Sequence, residues 1–420
     1  MSELSISAIA EINPSSRVPA GLQKNDLVSF IPMGDVSEDG QWPSRQTRSL
    51  GSLGSGFAVF TEGDVLVAKI TPCMENGKGV HAVGLVNGVG FGSTEFHVLR
   101  AKPGVSPGFV FQLTKWKKFR QEAESAMVGS AGQKRVQRGF FDSFQVPRFD
   151  GEEQRRITKV LDTLDTAIHQ TEALIAKLKA VKQGLLHDLL TRGIDANGEL
   201  RPPRSKAPDL YKQTPRGWIP KSWCFKPLVE MIDFPEGQVD PQRFPFRDWI
   251  LVAPDHIESG SGRLLQSVTA SEQRAISGKY VYEAGDVLYS KIRPYLKKAI
   301  LAEGRGLCSA DMYPLRPRDG LKSRYLLSVI LGADFSMFAE SVSMRSGFPK
   351  INRSEMSEFS LGWPDEKEQE AIVHIIMDFD ERQSSTEAEL EKLRRIKVAL
   401  MDDLLTGRVR VNPLLDAATA

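Results

Sequence analysis

From Ile157 onward the apolar residues fall three and four positions apart: Ile157, Leu161, Leu164, Ile168, Ile175, Leu178, Leu185 and Leu189. This spacing predicts one stripe of a helix in coiled-coil register. The pattern returns as Ile372, Ile376, Phe379, Gln383, Leu390, Leu393, Leu400 and Leu404, each shifted by 215 positions. Thr171 and Thr386 interrupt both stripes, and polar seam residues of this kind fix register at some expense in stability. Asp150 and Asp365, each followed by glutamates, suit the positive start of a helix. Gly193 and Gly407 stand where a helix would stop. Neither helix carries a second apolar stripe, so the two are predicted to pack on each other.

The helices belong to a longer repeat. Glu153-Gln154 recurs as Glu368-Gln369, and Asp188-Leu189-Leu190-Thr191 recurs as Asp403-Leu404-Leu405-Thr406. Upstream, Gly63-Asp64-Val65-Leu66 with Lys69-Ile70 and Pro72 returns 222 positions later as Gly285-Asp286-Val287-Leu288 with Lys291-Ile292 and Pro294. The offset is back at 215 by Gly132 and Gly347, so the second copy loses a few residues between Pro294 and Gly347. A repeat of this length implies one plan used twice. The expected fold class is α/β (α+β), with two globular domains separated by a long antiparallel two-helix coiled-coil spacer and a pseudo-two-fold internal repeat. Expected boundaries are a first domain over 1–150, a helix over 151–192 and a linker over 193–222. A second domain over 223–364, a helix over 365–406 and a tail over 407–420 follow. Each helix would be a rod of roughly 58 Å at ~1.5 Å per residue. Antiparallel packing lets the Pro- and Arg-rich linker (Arg201-Pro202-Pro203-Arg204) span a short gap, whereas a parallel pair would need it to return the whole rod.

Composition narrows the function. The chain has 420 residues, 41% hydrophobic and 26% charged, with no apolar run long enough to span a bilayer. Met1-Ser2-Glu3-Leu4 does not read as a secretory signal, and Cys73, Cys224 and Cys308 are too far apart for a metal or disulfide framework. A cytoplasmic protein with no membrane partner is expected. The net charge is only +2, so affinity for nucleic acid has to come from local clusters.

Two such clusters occur in each half. The first half has Lys69, Thr71 and Lys78, then Ser130, Gln133, Lys134, Arg135 and Arg138 around Gly129 and Gly132. The second has Lys291, Arg293, Tyr295 and Lys297, then Arg345, Ser346, Phe348, Lys350 and Asn352 around Gly347. Glycine allows close backbone approach, lysine and arginine neutralise phosphates, and Arg, Lys, Gln and Asn pair with base edges. Taken singly these are ordinary basic loops, and only their recurrence at matching places marks them. Lys69 and Lys291 match and are candidates for backbone contacts. Thr71 against Arg293, and Gln133 against Phe348, differ and are candidates for base reading, with a core role as the other option for Phe348. Lys177 and Lys182 match Lys392 and Lys397 on the helices and are candidates for holding a partner or for a solvated flank.

Catalytic signals are weak. Gly104-Val105-Ser106-Pro107-Gly108 fits the nucleophile-elbow spacing, but Pro107 lacks the N–H that the oxyanion hole needs, so a turn is expected. The histidines show no ligand spacing, and His169 and His187 are expected to be solvated helix positions. No catalytic residue, metal site or cofactor is expected in this chain.

The segments Gly285 to Lys298 and Ser346 to Ile351, the Glu-Gln pair opening each helix, the Leu-Leu-Thr closing it, and Gly217-Trp218-Ile219-Pro220 together resemble the DNA-specificity subunit of type I restriction-modification systems. The resemblance implies two target-recognition domains on paired spacer helices, double-stranded DNA as ligand, two modification (methyltransferase) subunits as partners, and restriction/translocase subunits in the full complex. S-adenosylmethionine would then sit on the modification subunit. A stand-alone DNA-binding regulator and a purely structural coiled-coil protein are the other classes that this layout allows.

Overall fold

The computed structural model describes residues 2–15, 18–130, 132–343 and 348–411. The chain divides into two compact units, Met1–Ala173 with Glu387–Ala420, and Leu174–Thr386. Each unit therefore holds one mixed domain, one end of the helix Gly151–Thr191 and the opposite end of the helix Glu366–Leu405.

In the first unit a four-stranded antiparallel sheet runs in the order Ala10–Ile12, Phe96–Ala101, Val65–Ala68, Gly79–His81. Val65–Ala68 is buried along its whole length because it is covered on both faces. Val65 and Val67 point into a core with Leu99, Phe109, Leu113 and Trp116, under the helices Pro107–Lys115 and Lys117–Ser125. Leu66 and Ala68, on the other side of the pleat, meet Ile31 and Phe60 from a second sheet, together with Val80 of their own. In that sheet Leu27–Ile31 pairs parallel with Val89–Gly92.

The second unit repeats the plan. Its sheet order is Ile232–Asp233, Met312–Pro317, Val287–Ser290, Ala299–Leu301. Val287 and Tyr289 face the core beneath Ser323–Leu331 and Ala333–Ser343, and Leu288 faces Val252, Ile300 and Cys308. Leu251–Val252 again pairs parallel, with Gly306–Cys308. The repeated Gly-Asp-Val-Leu opens the central strand in both units. Gly63 and Gly285 take φ of 83° and 93°, a turn conformation that favours glycine. Asp64 binds Arg100 through both oxygens (2.8 and 2.6 Å), and Asp286 binds Arg316 in the same way (2.8 and 2.8 Å). The residues missing from the second copy come mainly from two loops. The turn 294–298 is two residues shorter than 72–78, and 302–311 is four shorter than 82–95.

The Glu-Gln pair fastens each long helix to its domain. Gln154 accepts from Ser106 N, the cap of Pro107–Lys115, and Gln369 accepts from Lys322 N, the cap of Ser323–Leu331 (both 2.9 Å). Glu153 binds Arg410 (2.7 Å), and Glu368 binds Arg201, Trp223 Nε1 (3.1 Å) and Ile194 N (3.0 Å). The predicted stripe is the seam: Ile157, Leu161, Ile168, Ile175 and Leu189 are buried, as are Ile372, Ile376, Gln383, Leu390 and Leu404. In the first unit Lys397 pairs with Asp165, and in the second Lys182 pairs with Asp380. The two residue numbers add to the same total in both pairs, so each unit packs its helix ends antiparallel in the same register. The linker is more than a surface connection. Tyr211–Thr214 and Gly217–Pro220 form a hairpin, Ile194 and Tyr211 are buried, and the Arg204 guanidinium lies 3.8 Å over Trp218.

Candidate nucleic-acid interface

The two basic clusters of each half are about sixty residues apart in sequence, yet one main-chain ladder joins them. In the first unit Ile70 bridges Arg135, Val136 N donates to Lys69 O (2.9 Å), and Thr71 N donates to Lys134 O (3.0 Å). In the second, Ile292 bridges Lys350, Ile351 N donates to Lys291 O (2.9 Å), and Arg293 N donates to Pro349 O (2.8 Å). Each unit thus has a rim where its central strand ends and its second cluster crosses it. Every donor and acceptor of this ladder has its counterpart in the other copy.

The side chains on the two rims differ. On the first, Ser130, Gln133, Lys134 and Arg138 are exposed and Lys69 is half-buried. Arg135 is held by Glu95 (2.9 and 3.0 Å), and this guanidinium keeps the Glu95 carboxyl below the usual glutamate range. Its charge is thus partly spent within the protein. Thr71 Oγ1 donates to Glu75 (2.8 Å). Lys78 reaches the Met33 carbonyl (3.4 Å), and Lys298 reaches the Pro254 carbonyl in the second unit (2.7 Å), so both brace the fold.

The second rim is aromatic. Phe348 and Tyr295 are each 51% exposed, which rules out a core role for Phe348. The Arg293 guanidinium lies 5.6 Å over the Phe348 ring, and the Lys291 ammonium 5.1 Å over Tyr313. Arg353, which closes the second basic cluster in sequence, stacks on Phe234 (4.8 Å) and Tyr313 (5.5 Å). Arg293 and Lys297 both take φ of 48°, a left-handed conformation that costs a non-glycine residue roughly 1–3 kcal/mol and clusters at binding sites. Lys350 is exposed. Asn352 caps the helix Arg353–Ser357 through Glu355 N (2.9 Å), so its side chain is occupied structurally. Arg345 and Ser346 lie outside the described residues.

The helix lysines divide. Lys177 and Lys392 are exposed, while Lys182 and Lys397 are engaged in the seam ion pairs. Val181 and Ile396, again 215 apart, are exposed instead at 45% and 37%. Exposure of this kind has no signal in the heptad pattern. Ser106 is a helix cap rather than a nucleophile. His169 is not a solvated helix position: it meets Asp39 at 2.7 Å, and a Glu172 oxygen lies within 4.8 Å of both. Among the described residues no single helix is long and apolar enough to cross a membrane.

His97 is a third structural feature of the first rim. Its Nε2 bonds the Val136 carbonyl (2.9 Å) while Asn13 Nδ2 meets Nδ1 (3.1 Å), which fits a neutral ring donating from Nε2. Burial, the leading cause, lowers its pKa below the ordinary 6.5. The folded state then binds fewer protons, so His97 contributes stability above 6.5 that is lost as pH falls below it. Tyr313 pairs with Tyr289 in the second sheet as His97 pairs with Val67 in the first, so that rim lacks this histidine. Between pH 7 and 5.5, hydrogen exchange corrected for intrinsic rate is expected to accelerate at Val136 and not at Ile351. A His97→Phe variant should lose that dependence.

Residues 260–395 match the family model described as the type I restriction modification DNA specificity domain. The type I restriction enzyme EcoDI specificity subunit of Escherichia coli is 28% identical over 254 residues, 57% of this chain and 56% of that one. The EcoEI specificity subunit, also from Escherichia coli, is 35% identical over 196 residues, 46% of this chain and 32% of that one. The stretch 260–395 thus carries a type I DNA-specificity domain. The chain spans about half the length of the EcoDI specificity subunit it matches. The specificity-subunit fold extends through both units. A structure from a study of complex assembly and conformational transition in a type I restriction-modification system aligns over 97% of this chain and 98% of its own, with TM-score 0.59 and 17% identity. The type I S subunit from M. genitalium aligns over 96% of each chain with TM-score 0.54 and 13% identity.

Proposed function

We propose that this chain is the non-catalytic specificity subunit of a type I restriction-modification complex. Each rim grips one half of a bipartite, asymmetric target on double-stranded DNA. The observation that carries this reading is the rim itself: one main-chain ladder built twice, with matched lysines at Lys69 and Lys291 and unmatched side chains around them. Shared backbone geometry suits phosphate contacts, and the differences suit the reading of different bases. Modification subunits carry S-adenosylmethionine and the methyl transfer, and restriction subunits join them in the cytoplasm. Two modification subunits fit two equivalent patches, Lys177 with Val181 and Lys392 with Ile396.

Single-molecule methylome sequencing of the host with and without this gene tests the proposal. Loss of one split motif, two short blocks with a fixed gap, is the expected result, and an unchanged methylome of an active system overturns it. In the purified complex, Lys291→Ala with Arg293→Ala should weaken binding by about 1–3 kcal/mol and make the salt dependence shallower, by about one unit of slope for each phosphate that is no longer neutralised. Equal in-register insertions in both long helices should lengthen the unread gap, by about 3.4 Å of duplex per added base pair.

A further inference from the structure

The loop at residues 37–41 folds against the first long helix. There Asp39 meets His169 and Glu172, which lie one helical turn apart, and the three ligand atoms lie within 4.8 Å of one another. Asp39 Oδ2 is 2.7 Å from His169 Nε2. The Gln41 amide nitrogen lies beside both ring nitrogens, closest to Nδ1 and 3.2 Å from Nε2, while Nε2 also meets the Asp39 carboxylate. Glu172 is oriented by Arg394 (2.8 Å), which has a second partner in Glu391 (2.7 Å) and can yield one Glu172 oxygen at little cost. Lys115 fixes the backbone of the loop by donating to the Asp39 carbonyl (2.6 Å). All of these residues belong to the first unit.

We propose that Asp39, His169 and Glu172 form a binding site for a divalent first-row transition ion, with zinc the best fit. One imidazole nitrogen and two carboxylates are a zinc ligand set, and a water would complete four-coordination. Nitrogen ligation disfavours magnesium and calcium, which take oxygen. The ion replaces the proton that His169 and Asp39 now share. Metal–ligand bonds of about 2.0–2.2 Å place ligand atoms roughly 3.3–3.6 Å apart, so the 2.7 Å contact of Asp39 with His169 opens slightly. The side chains of both carboxylates are exposed enough to move, at 46% and 36%. Gln41 and Arg394 supply the outer bonds that aim the ligands. The bound ion would staple the loop of the recognition domain to its spacer helix. The internal repeat gives a control, since Glu387 matches Glu172 but Ser384 stands where His169 does. The second copy lacks the site.

The test uses the full chain without an affinity tag, stripped by chelator. Zinc is titrated by calorimetry, and cobalt(II) is followed by its visible absorption. One saturable equivalent is expected, with a metal-dependent rise in Tm and no displacement by excess magnesium. His169→Ser, which installs the residue of the second copy, and Asp39→Asn should each weaken binding at least about tenfold with an unchanged circular dichroism spectrum. No saturable uptake by the wild-type chain, or equal uptake by His169→Ser, overturns the proposal. Either result leaves the DNA-binding reading untouched, because neither variant alters a rim.

Discussion

Glu368→Ala is expected to destabilise the second unit by about 3–5 kcal/mol, the usual loss when one partner of a buried ion pair is removed. The Glu368 side chain is 11% exposed and that of Arg201 14%. Its oxygens serve the Arg201 guanidinium, the Trp223 indole N–H and the Ile194 amide at once. Truncation leaves a buried cation and two buried donors without an acceptor. The carboxylate is closely enclosed: a Cβ on Gly193 would meet a Glu368 oxygen at 2.1 Å and Trp223 at 2.5 Å. Glu153→Ala in the first unit removes the matching glutamate, whose partner Arg410 is 37% exposed. Water can take over there, and a loss of about 1–2 kcal/mol is expected. Urea unfolding read by site-resolved hydrogen exchange separates the two units. Equal, small losses for both variants would refute the account of Glu368 as the clamp of the second unit.

Asp165→Ala should cost the first unit about 3 kcal/mol at pH 7, while Asp380→Ala, 215 positions on, should cost the second under about 1 kcal/mol. Asp165 is 15% exposed and lies between two lysines, Lys397 and Lys115 (3.3 Å), with Gln112 at 3.0 Å. Burial is the main cause that brings the Lys115 ammonium down to about 8, and the neighbouring Lys397 adds to it. Without Asp165 two ammonium groups face each other at low exposure. Asp380 is 47% exposed and, among the described residues, pairs with Lys182. The pH dependence has a definite sign. Lys115 titrates lower in the folded than in the unfolded state, so between about 8 and 10.5 the unfolded chain binds more protons and this group adds stability as pH rises. The Asp165→Ala deficit should therefore shrink between pH 7 and 9. Thermal unfolding across that range reads it, and a deficit that grows with pH would show that Lys115 is not the strained partner.

Much of this architecture is written in periodic features. The helical stripe and the constant 215-residue offset specify two helices, their register and a duplicated domain, because burial repeats along a helix and duplication repeats along a chain. Residues that are neighbours only in space leave no such trace. Nothing local says that Glu95 holds Arg135, that Lys78 and Lys298 brace a turn, or that Asp165 and Asp380 take Lys397 and Lys182. Equal lysines on equal heptad positions look alike until the opposite helix is placed. Arg353 is legible as a cation but not as one stacked on Phe234 and Tyr313, since those rings arrive from segments over a hundred and about forty residues upstream. The His169 group escapes for the same reason: its third member, Asp39, is 130 positions away.

The first unit's core includes Met401, Leu404, Leu405 and Val411, and Trp116 donates to Asp402 (2.6 Å). Those residues are translated after the whole of Leu174–Thr386. On the ribosome, at about 5–20 residues per second, the first domain waits on the order of tens of seconds after its own synthesis before the segment that seals it emerges. The second unit, built from Leu174–Thr386, has all its parts earlier. Of the two units, the one begun first is therefore completed second, and during that interval the apolar surface around Trp116 and Phe144 lacks the cover that Met401, Leu404 and Leu405 later supply.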